Sequence, residues 1–340
     1  MMAMKKKIIL SYDYELFFGE KSGTVRNSII EPTNKLLDVM ERNGLRGNFF
    51  VDFLMFRELE KQTDDRSKSD LKLLKDQIHD IVKRGHRVEL HLHPHWIDAK
   101  YNGDGTWDFS DFSHYSLSSL DEGTITEMFV EGTDYLNSLA KDIDSAYKIV
   151  AFRAGGWAVQ PFDKLKSGFV KAGIKIDSSA SLGAFCDKPG QEYNFMVMPN
   201  KAKYNFETDV CKEREDGQFL EVPITSFHKP FALFCYERIV KRFVKKKLLY
   251  SDGTHQRKGT VVVKKKSGMS KITDKFNPMF RQMLNFSALL KVSLWYTLRM
   301  TRKQDIYCFI DHPKDVTERT LAGIDYVGKY SVSVNYVDLI

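Results

Sequence analysis

Arg87-Val88-Glu89-Leu90-His91-Leu92-His93-Pro94-His95-Trp96 decides how the rest of the chain is read. Its first half alternates polar and apolar side chains with a period of two, the pattern of a strand with one packed face. Pro94 removes an N–H and disfavours helix before it, so the strand ends in a tight turn. Three of the chain's nine histidines fall within five residues at that turn. Neutral imidazole is the commonest protein ligand for zinc and similar ions, so the string is a candidate part of a metal site. The alternative is a polar turn that happens to be rich in histidine. A metal needs more than two ligands, and the others must come from elsewhere in the chain.

Outward from this strand, apolar periodicity places strands at Lys5–Tyr14, Leu45–Leu54, Tyr147–Phe152, Ile174–Ile176, Phe219–Ile224, Ile306–Ile310 and Val332–Val337. Helices alternate with them: one from Pro32 to Asn43-Gly44, then Ser69–Arg84, Asp121–Ala140, Pro161–Ala172, Phe280–Met300 and Thr317–Tyr326. Ile97–Leu120 is long, polar and aromatic and reads as a loop. Strands separated by helices long enough for crossovers imply an α/β fold with a parallel sheet or barrel. Functional groups of such folds gather at the carboxyl ends of the strands. Asp13, His91, Arg153, Asp177 and His312 all fall at or just after such ends.

Composition fits an ordinary globular protein of 340 residues, 42% apolar and 29% charged, with no apolar run long enough to cross a membrane. The apolar stretch near the start is far shorter than a secretion signal requires, so a cytoplasmic protein is expected. Cys186, Cys211, Cys235 and Cys308 are widely spaced and read as reduced thiols. Charge is unevenly placed. Lys229 to Lys303 carries 19 basic residues against 3 acidic ones, while the remainder carries 33 against 42. Such a segment hints at an anionic partner.

Asp13 and Glu15 stand two apart at the end of the first strand, so both carboxylates face one side and Tyr14 the other. One carboxylate and two histidines around a metal leave a position for water, and the second carboxylate could take that water's proton. The alternative is a solvated pair at a strand end.

Five segments, in order, carry a resemblance. They are Ser11–Glu15, His91–His95, Phe152-Arg153-Ala154-Gly155-Gly156-Trp157, Ile176-Asp177-Ser178-Ser179 and Phe309-Ile310-Asp311-His312-Pro313. Together they resemble the motifs of the NodB-homology polysaccharide deacetylases, carbohydrate esterase family 4, across roughly residues 5 to 225 and again from about 277. The resemblance implies a distorted (β/α) barrel of about seven parallel strands, forming a single catalytic domain over residues 1–340 with a basic insertion at about 229–276. It implies Asp13 as general base, His91 and His95 as metal ligands, and Arg153 positioning Asp13. His312 would be the general acid, oriented by Asp177, and the metal would be zinc, with cobalt or nickel as alternatives. The motif's second aspartate is Tyr14 here, so Glu15 is expected to be the third ligand. His93 is either a ligand or a substrate contact, and Trp96 and Trp157 are expected to line the substrate groove.

The expected activity is removal of an N-acetyl or other N-acyl group from a sugar or glycan, such as a precursor of a surface polysaccharide. The alternatives are another non-peptide C–N bond (an N-formyl sugar or a ureide) and an inactive glycan-binding module. Lys241–Lys266 is the expected contact for an acidic glycan, a lipid-linked precursor or the inner membrane surface. Nucleic acid is disfavoured for want of any recognition motif or aromatic platform.

Overall fold

The computed structural model describes residues 5–188, 190–243, 247–256, 281–300 and 304–340. One sheet holds β1 (Lys6–Tyr14), β2 (Gly47–Asp52), β3 (Arg87–Leu92), β4 (Ala151–Ala154), β5 (Ile176–Asp177), β6 (Tyr204–Phe206), β7 (Phe219–Glu221), β8 (Ile306–Asp311) and β9 (Ser331–Ser333). The spatial order is β6-β7-β5-β4-β3-β2-β1-β8, with β9 beside the start of β1. From β7 to β8 the seven strands are mutually parallel, and β6 runs antiparallel at the edge. The fold is α/β, with a curled parallel sheet that forms an incomplete barrel.

The helices are α1 (Glu31–Arg42), α2 (Phe53–Glu60), α3 (Asp65–Lys83), α4 (Glu122–Lys141), α5 (Asp163–Ala172), α6 (Phe231–Phe243), α7 (Lys291–Met300) and α8 (Glu318–Gly328). Local chemistry sets their ends. Asp64 caps α3 by accepting the Ser67 N–H, Asp121 caps α4 through Thr124, and Thr317 caps α8 through Thr320. Gly173 stops α5 with φ 71°, a left-handed position that suits glycine.

The sheet has two packed faces. Tyr12, Phe49, Leu90 and Phe152 point outward beneath the helices, joining Leu36, Ile78 and Phe129 in the larger core. Ile9, Phe50, Ala151, Ile176, Cys308 and Tyr336 fill the concave inside. Full burial of each phenylalanine in these cores contributes about 1.5–3 kcal/mol. Since side chains alternate along a strand, Asp13, His91 and Arg153 belong to the inner face.

Two expected elements differ in kind, and the last strand, expected at Val332–Val337, is Ser331–Ser333 with a short helical turn at Tyr336–Leu339. The strand expected at Leu45–Leu54 ends at Asp52, and Phe53 opens the short helix α2, which an all-apolar run conceals. The helix expected over Phe280–Met300 begins only at Lys291. Before it, Gln282-Met283 pairs with Ser226-Phe227, the Leu284 N–H donates to Thr225, and Asp311 accepts the N–H groups of Phe286 and Ser287. The sheet edge outcompetes helix there.

Candidate active site

Parallel register builds the site. Asp52, His91 and Arg153 are paired neighbours across β2, β3 and β4, and Asp13 sits opposite Phe50 on the adjoining strand. Four strand ends therefore deliver their polar side chains to one place. The result is a pocket of about 230 Å³ lined by residues including Asp13, Glu15, His91, His93, Trp157 and His312.

Arg153 is its fixed point. The guanidinium has no solvent exposure, and its Nη1 donates to Asp13 Oδ1 at 2.6 Å. Its Nε donates to the Ser178 carbonyl at 2.7 Å and its Nη2 to Ser11 Oγ at 2.8 Å. The plane lies over the Phe50 ring at 4.1 Å. A buried cation with this many partners holds Asp13 in one orientation, with Oδ2 turned towards His312 Nε2 at 3.5 Å.

His91 Nδ1 donates to the Arg153 carbonyl at 2.7 Å, and its Nε2 lies 3.0 Å from Glu15 Oε2. Burial opposes a charge on this imidazole, but the Glu15 bond and the nearby Asp13 push it up to about 9. Burial likewise works against the Glu15 carboxylate. The Lys314 ammonium and His91 outweigh it and hold Glu15 well below the usual carboxylate range.

His93 follows His91 on the same face, their ring centroids 6.1 Å apart, and its Nδ1 is buried without a hydrogen-bond partner among the described residues. Burial lowers its imidazole well below the ordinary value. A Cβ added to Gly155 would come within 2.7 Å of the His93 ring, so the first glycine of Gly155-Gly156-Trp157 is what admits this histidine. The next two residues are both left-handed, Gly156 at φ 59° and Trp157 at φ 62°. That conformation is costly for tryptophan, and it turns the backbone so that Trp157 lines the pocket.

Three expected roles change. The short helical turn Pro94–Asp98 carries His95 out of the pocket. Its Nε2 meets the Phe109 carbonyl at 3.1 Å among the rings of Phe18, Phe109 and Phe112. His93, not His95, accompanies His91. Trp96 is fully buried, donates Nε1 to Asp52 at 2.6 Å and packs on Trp107 and Phe109, so it supports the turn and does not line the pocket. Asp177 pairs in register with Phe152, which puts it on the outer face, away from His312. It accepts from Ser179 there and faces Glu221 across the strand pair. The carboxylate nearest the other nitrogen of His312 is Asp315, 3.9 Å from Nδ1.

The surroundings of His312 set its affinity for a proton. Burial in the pocket wall lowers its imidazole from the ordinary value, with Lys314 adding to the effect and Asp13 opposing it. His312 therefore holds a proton less readily than an ordinary imidazole.

Sequence reasoning missed three contributors. Asp52, fully buried with its pKa raised by burial to about 7, accepts the His93 backbone N–H and the Trp96 indole and so pins the turn. His255 reaches the pocket from residues expected to form a surface insertion. Asp252 anchors this segment by accepting from Thr24, Asn27 and Ser28, and His255 pairs with Asp315 at 3.1 Å. Lys314 is the third. Its proximity to His312 was the available signal, but a lone lysine ordinarily reads as a surface charge.

The metal implied by the resemblance does not fit this donor set. With His95 turned away, both oxygens of Glu15 are engaged, one by His91 and one by Lys314 Nζ at 2.8 Å. Both nitrogens of His91 are engaged as well. Among the described residues no group of three or more His, Cys, Asp or Glu side chains is arranged to hold a metal ion.

No family model and no curated protein matches the sequence. Among solved structures the chain is similar to a protein from Mycobacterium smegmatis named as a polysaccharide deacetylase, with 13% identity and a TM-score of 0.46, covering 100% of this chain and 90% of that one. It is also similar to a family 4 carbohydrate esterase from Streptomyces lividans, with 10% identity, a TM-score of 0.38 and coverage of 96% and 88%. A 4-alpha-glucanotransferase from Thermococcus litoralis gives 10% identity and a TM-score of 0.48, covering 99% of this chain and 40% of that one. The functional reading rests on the site's own residues.

Proposed function

We propose that this chain is a hydrolase of the polysaccharide-deacetylase kind that removes an N-acyl group, acetyl first among them, from a sugar or glycan. One observation carries the reading. Asp13, held by buried Arg153, faces His312 across 3.5 Å inside a small pocket walled by Trp157 and His93. A pocket of about 230 Å³ suits an acetamido group and the edge of one sugar. Water between Asp13 and the acyl carbon gives its proton to Asp13 as the O–C bond forms. The proton then crosses to His312 Nε2, which delivers it to the nitrogen as the C–N bond breaks. Carboxylic acid and amine leave, and both side chains return to their resting states. His312 is loaded by the reaction itself, which agrees with its lowered affinity for protons.

The test is a screen of N-acetylated and N-formylated sugars, oligosaccharides and ureides for release of amine, with and without defined metals. Release from N-acyl sugars is expected. Asp13→Asn and His312→Ala should each lower kcat by about 10²–10⁴-fold, the usual scale of general acid–base catalysis. Release by Asp13→Asn at the wild-type rate removes Asp13 from the role, and binding of glycan with no release favours a binding module.

The strands that flank β1 come from both ends of the chain, which supports one catalytic unit spanning residues 1–340. Four cysteines without a disulfide are consistent with the cytoplasm, where a polysaccharide precursor is a suitable substrate.

The basic region supports a second contact. Tyr236, Ile239 and Phe243 form one exposed stripe of α6, flanked by Arg238 and Arg242, while Glu237 on the opposite side is buried against Lys229 and Ser293. No described helix is long and apolar enough to cross a membrane, but this face suits the surface of an anionic bilayer. Lys245, Lys246 and Lys264–Lys266, part of the expected contact, lie outside the described residues. Co-sedimentation with anionic vesicles, weaker for Ile239→Asp and in high salt, is expected. Equal binding to neutral vesicles, or none to either, removes the proposal.

A further inference from the structure

We propose that Lys314 is the site's built-in cation. Its ammonium stabilises the oxyanion formed on the acyl carbonyl, and turnover then needs no bound metal. The inference rests on the hydrolase reading above and extends it to the electrophilic half of the reaction.

The geometry begins with the end of β8. The turn Pro313–Asp315 follows His312 and folds Lys314 back towards β1. The side chain is only 3% exposed, unusual for a lysine and tolerable only with partners that repay its lost hydration. It has two. Nζ donates to Glu15 Oε1 at 2.8 Å and to the Leu16 carbonyl at 2.6 Å. An ammonium carries three N–H donors, so these bonds leave one. Lys314 lines the same pocket as Asp13 and His312. The rings of Phe17 and Phe18 lie 5.4 and 5.2 Å from Nζ, a cation–π setting that keeps bulk water from the charge.

Glu15 was expected to anchor a metal, and it instead anchors this ammonium. It keeps a positive charge beside the carbonyl that Asp13-activated water attacks. When the water oxygen bonds to the acyl carbon, the carbonyl π pair moves to oxygen. The resulting alkoxide lies beside Nζ, and Lys314 donates a hydrogen bond without losing its proton. Collapse restores the C=O bond and expels the nitrogen, protonated by His312. Asp13 and His312 carry the proton, Lys314 carries only charge, and no oxidant or co-reactant is required. A preorganised cation facing an oxyanion in a water-poor pocket is among the strongest single devices available to a hydrolase.

The experiment uses the full-length protein in two arms. In the first, chelator-treated enzyme, its metal content measured, is assayed on an N-acyl sugar found by the screen. It should retain its turnover within about twofold, whereas Lys314→Met should lose about 10²–10³-fold in kcat with little change in KM, as when one oxyanion donor is removed. Lys314→Arg, which restores the charge, should recover part of that loss. Activity abolished by the chelator and restored by zinc, cobalt or nickel overturns the proposal, as does a folded Lys314→Met enzyme with wild-type kcat.

The second arm needs no substrate, so it separates this proposal from the hydrolase reading. Zinc and cobalt are titrated into chelator-treated wild-type protein by calorimetry and visible absorption. No stoichiometric binding at micromolar metal is expected, and any binding should emerge only in Lys314→Met, where Glu15 Oε1 is released. Tight one-to-one binding to wild-type protein, lost in Glu15→Gln, overturns the proposal even if no substrate has been found.

Discussion

Two pairs of acidic side chains lie on opposite faces of the same sheet, both buried, and they meet opposite fates. Asp13 and Glu15 face inward, where Arg153 and Lys314 lie within 2.6 and 2.8 Å of their oxygens. Asp177 and Glu221 face outward, opposite one another in register; Ser179 donates to Asp177, and among the described residues no cation is bonded to either carboxyl group. Burial raises Asp177, and burial together with the facing Asp177 raises Glu221 well above the usual carboxylate range. The inner pair is bonded to cations within the pocket, whereas the outer pair is a structural contact whose carboxyl groups hold protons more readily than usual. Burial alone does not make a carboxylate catalytic; the cation beside it does.

The most severe way to break the contrast is Arg153→Met. It leaves Asp13 as an uncompensated charge in the interior, and a loss of about 3–5 kcal/mol in unfolding free energy is expected, measured by urea denaturation. Activity should fall with it, and Arg153→Lys should recover stability better than rate, because a point charge cannot reproduce the planar fork. Gly155→Ala comes next. Its methyl would press on the His93 ring, so a loss of about 1–3 kcal/mol is expected, with a larger relative fall in kcat than in stability.

Glu221→Gln sharpens the contrast from the other side. The folded state binds the Glu221 proton more tightly than the unfolded chain does. Its contribution is therefore complete below the unfolded value near 4.5 and is lost as pH rises through the folded value. The amide, which cannot ionise, should stabilise the protein at pH 8 by about 1 kcal/mol relative to wild type and be neutral at pH 4. A wild-type denaturation profile unchanged by this substitution would mean that Glu221 finds a compensating charge.

A control lies away from both pairs. His86 is pushed down to about 4 by burial, with Arg84 adding to it, and its Nδ1 accepts the Gly47 N–H at 2.9 Å. Here the folded value is depressed, so stability should fall as pH drops from about 6.5 towards 4, by at most about 3 kcal/mol. His86→Gln should flatten that slope.

Much of the inner site was legible because strand ends converge in a parallel sheet. Asp13, Glu15, His91, Arg153 and His312 could be chosen from the chain, and the structure brings all five together. What the chain does not display is decided by turns and by register. Whether His93 or His95 accompanies His91 depends on the helical turn after Pro94, which periodicity does not determine. Asp177 ends a strand only two residues long, so a shift of one position changes its face. Trp96 reads as a groove residue until Asp52, hidden at the end of an apolar run, is seen to hold its indole. Lys314 and His255 lie in stretches that composition marks as surface, and only tertiary packing draws them inward.

The central claim is that the inner pair, with its two cations, hydrolyses an N-acyl bond. Its most direct measurement is amine release from N-acetylated sugars by chelator-treated wild-type protein, set beside Asp13→Asn and Lys314→Met under the same conditions. The account predicts release by the wild type and a loss of at least about 10²-fold in each variant. Equal release by all three proteins, or wild-type release that appears only when metal is returned, would contradict it.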